Sequence, residues 1–551
     1  MSDQAAPAAD TPKPAGPPQN PPLPVRQAIP YMLAAVVIAV SQGLSQGMLS
    51  VNVPQIAGDL GVTQTQATWL LAAYMIPRGA MPLALIKIRT QFGLRRFAEI
   101  GIALYVLIAF AGLWAIDFRS AVVLQFFLGV SSSSLSTLAF LYMLEPLAPA
   151  WKMRLGLPMV MTFITTGPLL ARIVSPTLIG DGGLMNMHLL SLGLAMICLT
   201  LVYRLPLRPV PHMKVIEAAD FISFTLIFIG ISGLTIAFVM GPIYYWVDAP
   251  WIGSIIAGAV GSLAIAVIIE LNRARPIIDV RWLASPAMLH LAFTLFLFRL
   301  LLSEQSSGAP RMFQVLGLAN AQMEGLFTVI VLATLMGGLA CIAWIKITRV
   351  PMFHLIALIL IAAGAWMDSY ATVLTRPHEM FISQALIAFA GMLFLPSAMM
   401  NGLIAALSRG PQYILSFVVI FIATQSIGGI AGSGLFTTII NNRVAVHTHV
   451  LGEELQTTSA PTAQAVASRA AAMTASVGDP TMRQAQAVSM ISQDVTQQAT
   501  VLAYNDAYKL TSLAAMVAAI ALLLHMVRDA IAARLTAKAA AKAPSQPETA
   551  S

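Results

Sequence analysis

Residues 69–97 read WLLAAYMIPRGAMPLALIKIRTQFGLRRF. From Trp69 to Ile86 the run carries a single charge, Arg78, and it closes on the basic turn KIRTQFGLRR. An apolar run of about 20 residues crosses the hydrocarbon core as a helix. The stretch lacks the period-two alternation of a barrel strand, so it reads as a spanning helix with a cation inside and a basic turn at its end.

The whole chain repeats that pattern. Apolar residues make up 58% of its 551 residues, charged residues 10%, and the mean hydropathy is +0.79, a balance foreign to soluble domains. Fourteen windows are long enough to span: 29–51, 66–88, 97–117, 121–145, 153–180, 185–205, 219–241, 250–269, 287–312, 320–347, 352–373, 378–405, 411–440 and 508–530. The fold class is therefore all-α and polytopic.

Orientation follows from the excess of Lys and Arg in cytoplasmic loops. With the N-terminus inside, 21 of the 31 basic residues fall on the cytoplasmic side and 7 outside, while Arg78, Arg172 and Arg299 fall within helices. Both termini are expected in the cytoplasm. The net charge of +8 is thus mostly topology and gives no cluster that calls for nucleic acid.

Residues 1–28 and 531–551 are expected to be disordered tails. The remainder divides into a six-helix bundle (29–205), two inserted helices with their linkers (206–280) and a second six-helix bundle (281–530), which includes a polar outer loop at 441–507. That loop has helical composition and suits either a solvated cap or a docking surface.

Enzymatic signatures are missing from the sequence. There is no HExxH, no nucleophile motif and no Walker loop, so neither hydrolysis nor a cofactor is expected, and transport must draw on an ion gradient. Cys198 and Cys341 lie in apolar windows and read as core packing. His447 and His449, two residues apart, do not share a helix face as metal ligands would.

Several segments resemble one family. GGIAGSGLFTTIINNRVAVHTHVLGEEL (428–455), preceded by Gln425 and followed by LAYNDAYKL (502–510), is similar to the end of the fourteen-helix drug:proton antiporters of the major facilitator superfamily, the EmrB/QacA type. Residues 50–76, 220–252 and 273–283 match that family's first two helices, seventh helix and link to the ninth, in the right order. The resemblance implies two six-helix bundles flanking two inserted helices, a central cavity and alternating access. It also implies proton-driven export of amphipathic drugs across a bacterial inner membrane, with a periplasmic adaptor protein and an outer-membrane channel as partners.

The resemblance places KIRTQFGLRR at the superfamily's signature loop, where Gly93, Arg95 and Arg96 match its turn glycine and latching basic residues. TTGPLLARIVSPTLIG (165–180) keeps Gly167 and Pro168 of the antiporter helix but carries Arg172 where small residues are usual. Three positions depart from the family: Thr90 replaces the loop's acid, Gln125 stands where an arginine precedes Gly129, and Ser45 stands where an aspartate precedes Pro54.

The buried charges then mark the candidate pathway, because a charge at the bilayer centre costs about 2.5–3.5 kcal/mol on insertion scales. Arg78, between Pro77 and Pro82, suits a carboxylate or phosphate ligand or an internal acid. In FRLLLSEQSSGAPRMFQ (298–314), Glu304 and Arg311 share a helix face and read as an ion pair, with proton carrying as the other role for Glu304. Glu324 is a weaker proton candidate. The pathway set is Arg78, Arg172, Arg299, Glu304, Gln425 and Ser45, with protons as the coupling ion. Two other functions fit the same residues: export of organic anions by the buried arginines, or a non-transporting scaffold or sensor.

Overall fold

The computed structural model describes residues 21–179, 183–209, 214–273, 276–410, 413–455 and 459–542. Among these, fourteen helices are long and apolar enough to cross a membrane. They are α1 (Val25–Val51), α2 (Gln64–Phe92), α3 (Leu94–Ala111), α4 (Phe118–Leu144), α5 (Leu157–Ile179), α6 (Gly183–Arg204), α7 (Ala218–Met240) and α8 (Pro250–Leu271). The second half contains α9 (Pro286–Val315), α10 (Glu324–Trp344), α11 (Val350–Asp368), α12 (Phe381–Arg409), α13 (Tyr413–Glu454) and α14 (Pro480–Lys542). Helices are the open-ended solution in lipid because each satisfies its own backbone.

Helices α1–α6 enclose one apolar core, built on side chains such as Ile38, Leu70, Ile102 and Leu135. Helices α9–α14 enclose further cores around Leu295, Phe298, Ile361 and Phe417, and around Phe313, Phe327 and Tyr508. Between the halves, α7 packs on α2 through Ile227 and Ile231 against Ala80 and Leu83. The architecture is two six-helix bundles with α7 and α8 inserted.

Ends are set by local chemistry. Thr63 opens α2 with a reciprocal capping box to Gln66. Asp117 opens α4 by accepting from Arg119 N at 3.1 Å, and the Ser120 hydroxyl holds its carboxyl below the usual carboxylate range. Gly93 closes α2 at φ 85°, a conformation that favours glycine.

The loop at 441–507 is more regular than a loop. α13 continues to Glu454, a short helix covers Ala460–Ala472, and α14 begins at Pro480, well ahead of the window at 508. Ala- and Gln-rich polar sequence supports helix without burial. The same propensity carries α14 through 531–542, which the sequence reading assigned to a disordered tail. At the other end α1 begins at Val25, inside the expected 1–28 tail. Residues 1–20 and 543–551 of those tails lie outside the described residues.

Helices α1 and α5 approach most closely where both carry small residues. A Cβ on Gly167 would stand 2.7 Å from Gly43 Cα, and one on Gly47 would stand 2.8 Å from Pro168 Cα. Small residues four apart let backbones meet in this way. We expect Gly167→Val to lower stability by about 1–3 kcal/mol through overpacking, read as a lower melting temperature in detergent, whereas Gly193→Ala, with open space around it inside α6, should leave melting unchanged or slightly raised.

Candidate functional site

A cavity of about 2430 Å³ lies between the bundles. Its walls run from Gln46, Asn52 and Asn320 near the helical-hairpin end to Lys87, Arg89 and Lys152 near the end bearing the 87–96 turn. Much of the surface is apolar, including Met75, Phe140, Met161, Phe327, Met392 and Phe421. Besides Arg89 at the end bearing the 87–96 turn, four arginines stand against that lining: Arg78, Arg172, Arg299 and Arg311. Glu145 is the one acid among the described lining residues.

Neutral groups hold each arginine in place. Arg78 Nη1 donates to Tyr74 Oη at 3.0 Å, and Tyr74 Oη donates to Ser132 Oγ at 3.0 Å. With its carbonyl facing the guanidinium, the buried Gln42 amide accepts from Arg78 Nη2 at 2.7 Å and donates to Ser136 Oγ at 2.8 Å. Arg172 lies 4.9 Å above the Phe327 ring, a cation–π distance across the bundle seam. Arg299 Nε donates to the Gln425 carbonyl at 3.3 Å, and Arg311 Nη1 to Thr437 Oγ1 at 3.2 Å. Among the described residues, none of the four forms an ion pair with an acid.

The glycine-rich run on α13 makes this possible. A Cβ on Gly429 would meet Arg299 Nε at 3.0 Å, and one on Gly432 would meet Ser303 Cβ at 3.0 Å, so the side chains of α9 lie directly on the α13 backbone. Gln425 lines the cavity, and its buried Nε2 has no protein partner.

Other expected site residues lie elsewhere. Ser45 turns into the first bundle, bonding Tyr105 Oη at 2.9 Å and the Ser41 carbonyl at 3.0 Å, because its position on an apolar helix faces α3. Gly167 packs α5 on α1, and Pro168 contributes to both that packing and the cavity wall. Glu304 is fully buried but makes no ion pair with Arg311. Helix α9 is interrupted at Leu302 and again at Gly308, so positions seven apart no longer share a face. Glu324 sits half-buried in the first turn of α10.

The 87–96 turn also differs in its working residues. Arg95 is exposed and pairs with Glu99 at 2.8 Å within its own helix, and Arg96 is exposed. Thr90 returns its hydroxyl to the Ile86 carbonyl at 2.8 Å. Lys87 instead reaches Asp220 at 2.7 Å, and Asp220 also accepts from Arg273 at 2.6 Å, which pairs in turn with Glu270 at 2.9 Å. Gln91 Oε1 accepts from Val215 N and Ile216 N at 3.3 and 2.9 Å. These contacts tie α2 to the inserted helices. Between α13 and α14, His447 and Arg443 both meet Asp506, at 2.8 and 2.6 Å, and no metal-ligating group of three occurs among the described residues.

This is the major facilitator fold with fourteen spanning helices among the described residues, and over most of its length the chain is similar in sequence to a multidrug export protein. Over 521 residues it is 24% identical to the Multidrug export protein EmrB of Escherichia coli strain K12, covering 89% of this chain and 94% of that protein. No protein-family profile matches. Similar solved structures include a POT family transporter in complex with a thioalcohol-conjugated peptide, at TM-score 0.57 and 13% identity over 89% of this chain and 96% of that one. Another is the major facilitator proton:xylose symporter XylE bound to 6-bromo-6-deoxy-D-glucose, at TM-score 0.50 and 12% identity over 89% and 95%. These structures share the fold.

The two basic pairs of the signature turn should separate on mutation. Arg95→Ala removes a solvent-exposed pair and should leave the melting temperature unchanged. Lys87→Ala removes a donor from the buried Asp220, which keeps Arg273, and should cost about 1–3 kcal/mol. Chemical or thermal melts of the purified protein give the comparison.

Proposed function

We propose that this protein is a secondary active transporter that exports amphipathic organic molecules, acidic ones above all, across a bacterial inner membrane. One observation carries the charge preference: beyond Arg89 at its 87–96 end, a largely apolar cavity is lined by four arginines that pair with no acid among the described residues, two from each side of the bundle seam. Arg78 and Arg172 belong to the first bundle, and Arg299 and Arg311 to the second. Arg172 of the first bundle and Arg311 of the second line the same cavity. Like charges held that way are stabilised by an anion placed between them, and an anion that contacts both bundles favours the states in which they close around it.

The apolar walls add the second half of the selectivity. Met and Phe side chains accept varied shapes, while the planar guanidinium gives a carboxylate or sulfonate two parallel hydrogen bonds. Lipophilic cations meet repulsion from the same groups. Similarity to a multidrug export protein supports the outward direction and the breadth of cargo, and a proton gradient is the energy source that the resemblance implies. A periplasmic adaptor and an outer-membrane channel are the partners such an exporter would use, with the helical hairpin beyond α13 as the surface available to them.

Binding tests the reading directly. Titration of the detergent-purified protein with an aromatic carboxylate should show saturable quenching of tryptophan fluorescence. Arg78→Gln and Arg299→Gln should each weaken that binding roughly tenfold or more, because each loses a charge-assisted hydrogen bond of about 1.5–3 kcal/mol. Equal affinity in both variants would remove the arginines from the cargo site.

A further inference from the structure

The second bundle holds another cluster of ionisable groups, beside the cavity and separate from its arginines. Glu304 lies in the short segment Ser303–Ser307 of the interrupted α9 and is fully buried. Asp368 ends α11 and is 3% exposed. Gln384 of α12 joins them: its Nε2 donates to Glu304 Oε1 at 2.8 Å and to Asp368 Oδ2 at 2.7 Å. A primary amide has two N–H bonds, so these contacts use both. Ser383 Oγ donates to Asp368 Oδ1.

No cation balances the two acids. Among the described residues neither carboxyl forms an ion pair, and the neighbouring ionisable groups are neutral phenols on α14: Tyr508, directed at Met312 Sδ at 3.9 Å, with Tyr504 behind it. Arg311, the one candidate cation on α9 beyond Glu304, is committed to Thr437. Glu304 Oε2 is buried with no donor. Yet the two carboxyls crowd the same nitrogen, Gln384 Nε2, at 2.8 and 2.7 Å. Two anions in that position repel in a medium of low polarity; a proton on one turns the contact into an O–H···O bond and gives the orphaned oxygen its partner.

We propose that Glu304 and Asp368 form a shared proton-binding site, through which proton entry is coupled to movement of cargo in the adjacent cavity. The pair alternates between one and two protons. In the first state a single O–H bridges the carboxyl and the carboxylate. In the second the incoming proton has added to the remaining carboxylate oxygen, and it leaves from that oxygen on the other side of the membrane. The physical link to cargo is α9, where Arg299 stands five residues before Glu304 and Ser303 and Ser307 line the cavity. Gln305 Nε2 also donates to the Gln384 carbonyl at 3.2 Å, so the segment between the two helix breaks is held by the residue that reads both carboxyls. Neutralising the pair loosens that hold and frees the segment to shift against Arg299.

The coupling role rests on the export reading above, whereas the shared proton does not, and two measurements keep them apart. Infrared spectra of the full-length protein in liposomes should show a protonated-carboxyl C=O band near neutral pH that is missing from the Glu304→Gln/Asp368→Asn double variant. An undiminished band in that variant overturns the shared proton. In proteoliposomes, Glu304→Gln should keep exchange of labelled for unlabelled aromatic carboxylate within about twofold, while accumulation driven by a pH gradient falls more than about tenfold. Asp368→Asn carries the same expectation should the first variant be unstable. Full pH-driven accumulation in either overturns the coupling. A band that disappears as expected in a protein that moves no organic anion leaves the proton site standing and removes the cargo assignment.

Discussion

Everything in this structure turns on the cost of holding charge inside a hydrocarbon layer. Arg78, Arg172, Arg299 and two buried carboxyls sit within the spanning helices, with Arg311 exposed beside them, and each must find water, a hydrogen-bonding cradle or a proton. The arginines take the first two solutions. They line an open cavity, and Tyr74, Gln42, the Gln425 carbonyl and Thr437 supply neutral acceptors or packing around them. Neutral support leaves the positive charge uncancelled, so the cavity is electropositive by construction. An acid at any of those contacts would have produced a closed structural pair instead.

The carboxyls take the third solution, and their placement separates two tasks that many sites combine. Cargo would be read by guanidinium groups on α2, α5 and α9, while the proton would be held between α9, α11 and α12. Helix α9 belongs to both sites, and it is the helix that is broken twice, at Leu302 and Gly308. A continuous α9 would move as one rod. The interrupted one lets a short buried segment respond to its own charge state while Arg299 stays on the glycine-rich face of α13.

The spanning helices were readable from the sequence because hydropathy alone sets them: fourteen windows correspond to fourteen helices. The buried arginines were readable for the same reason, since a cation in an apolar run has few explanations. Which side of a helix faces what was harder to read. Ser45 lies on a helix apolar around most of its circumference, so nothing in its neighbourhood marks the face toward Tyr105. Asp368 escaped notice because an acid near the end of an apolar window ordinarily meets water, and only the tertiary packing of Ser383 and Gln384 over it makes it a buried group. The Glu304–Arg311 pair failed because helical spacing assumes an unbroken helix. Gly308 and Pro310 carried the warning. The turn after α2 was legible as basic, but which base reaches across was not. Lys87 holds Asp220 from within α2, whereas Arg95 and Arg96 lie past the turn at Gly93.

The central claim is that the cavity selects for negative charge, and flux into proteoliposomes under an imposed pH gradient tests it most directly. One lipophilic cation would be compared with a panel of aromatic carboxylates at matched hydrophobicity. The electropositive cavity predicts gradient-dependent movement of the carboxylates and little of the cation. Gradient-driven movement of the cation with no movement of the carboxylates would contradict it and return the arginines to a structural role.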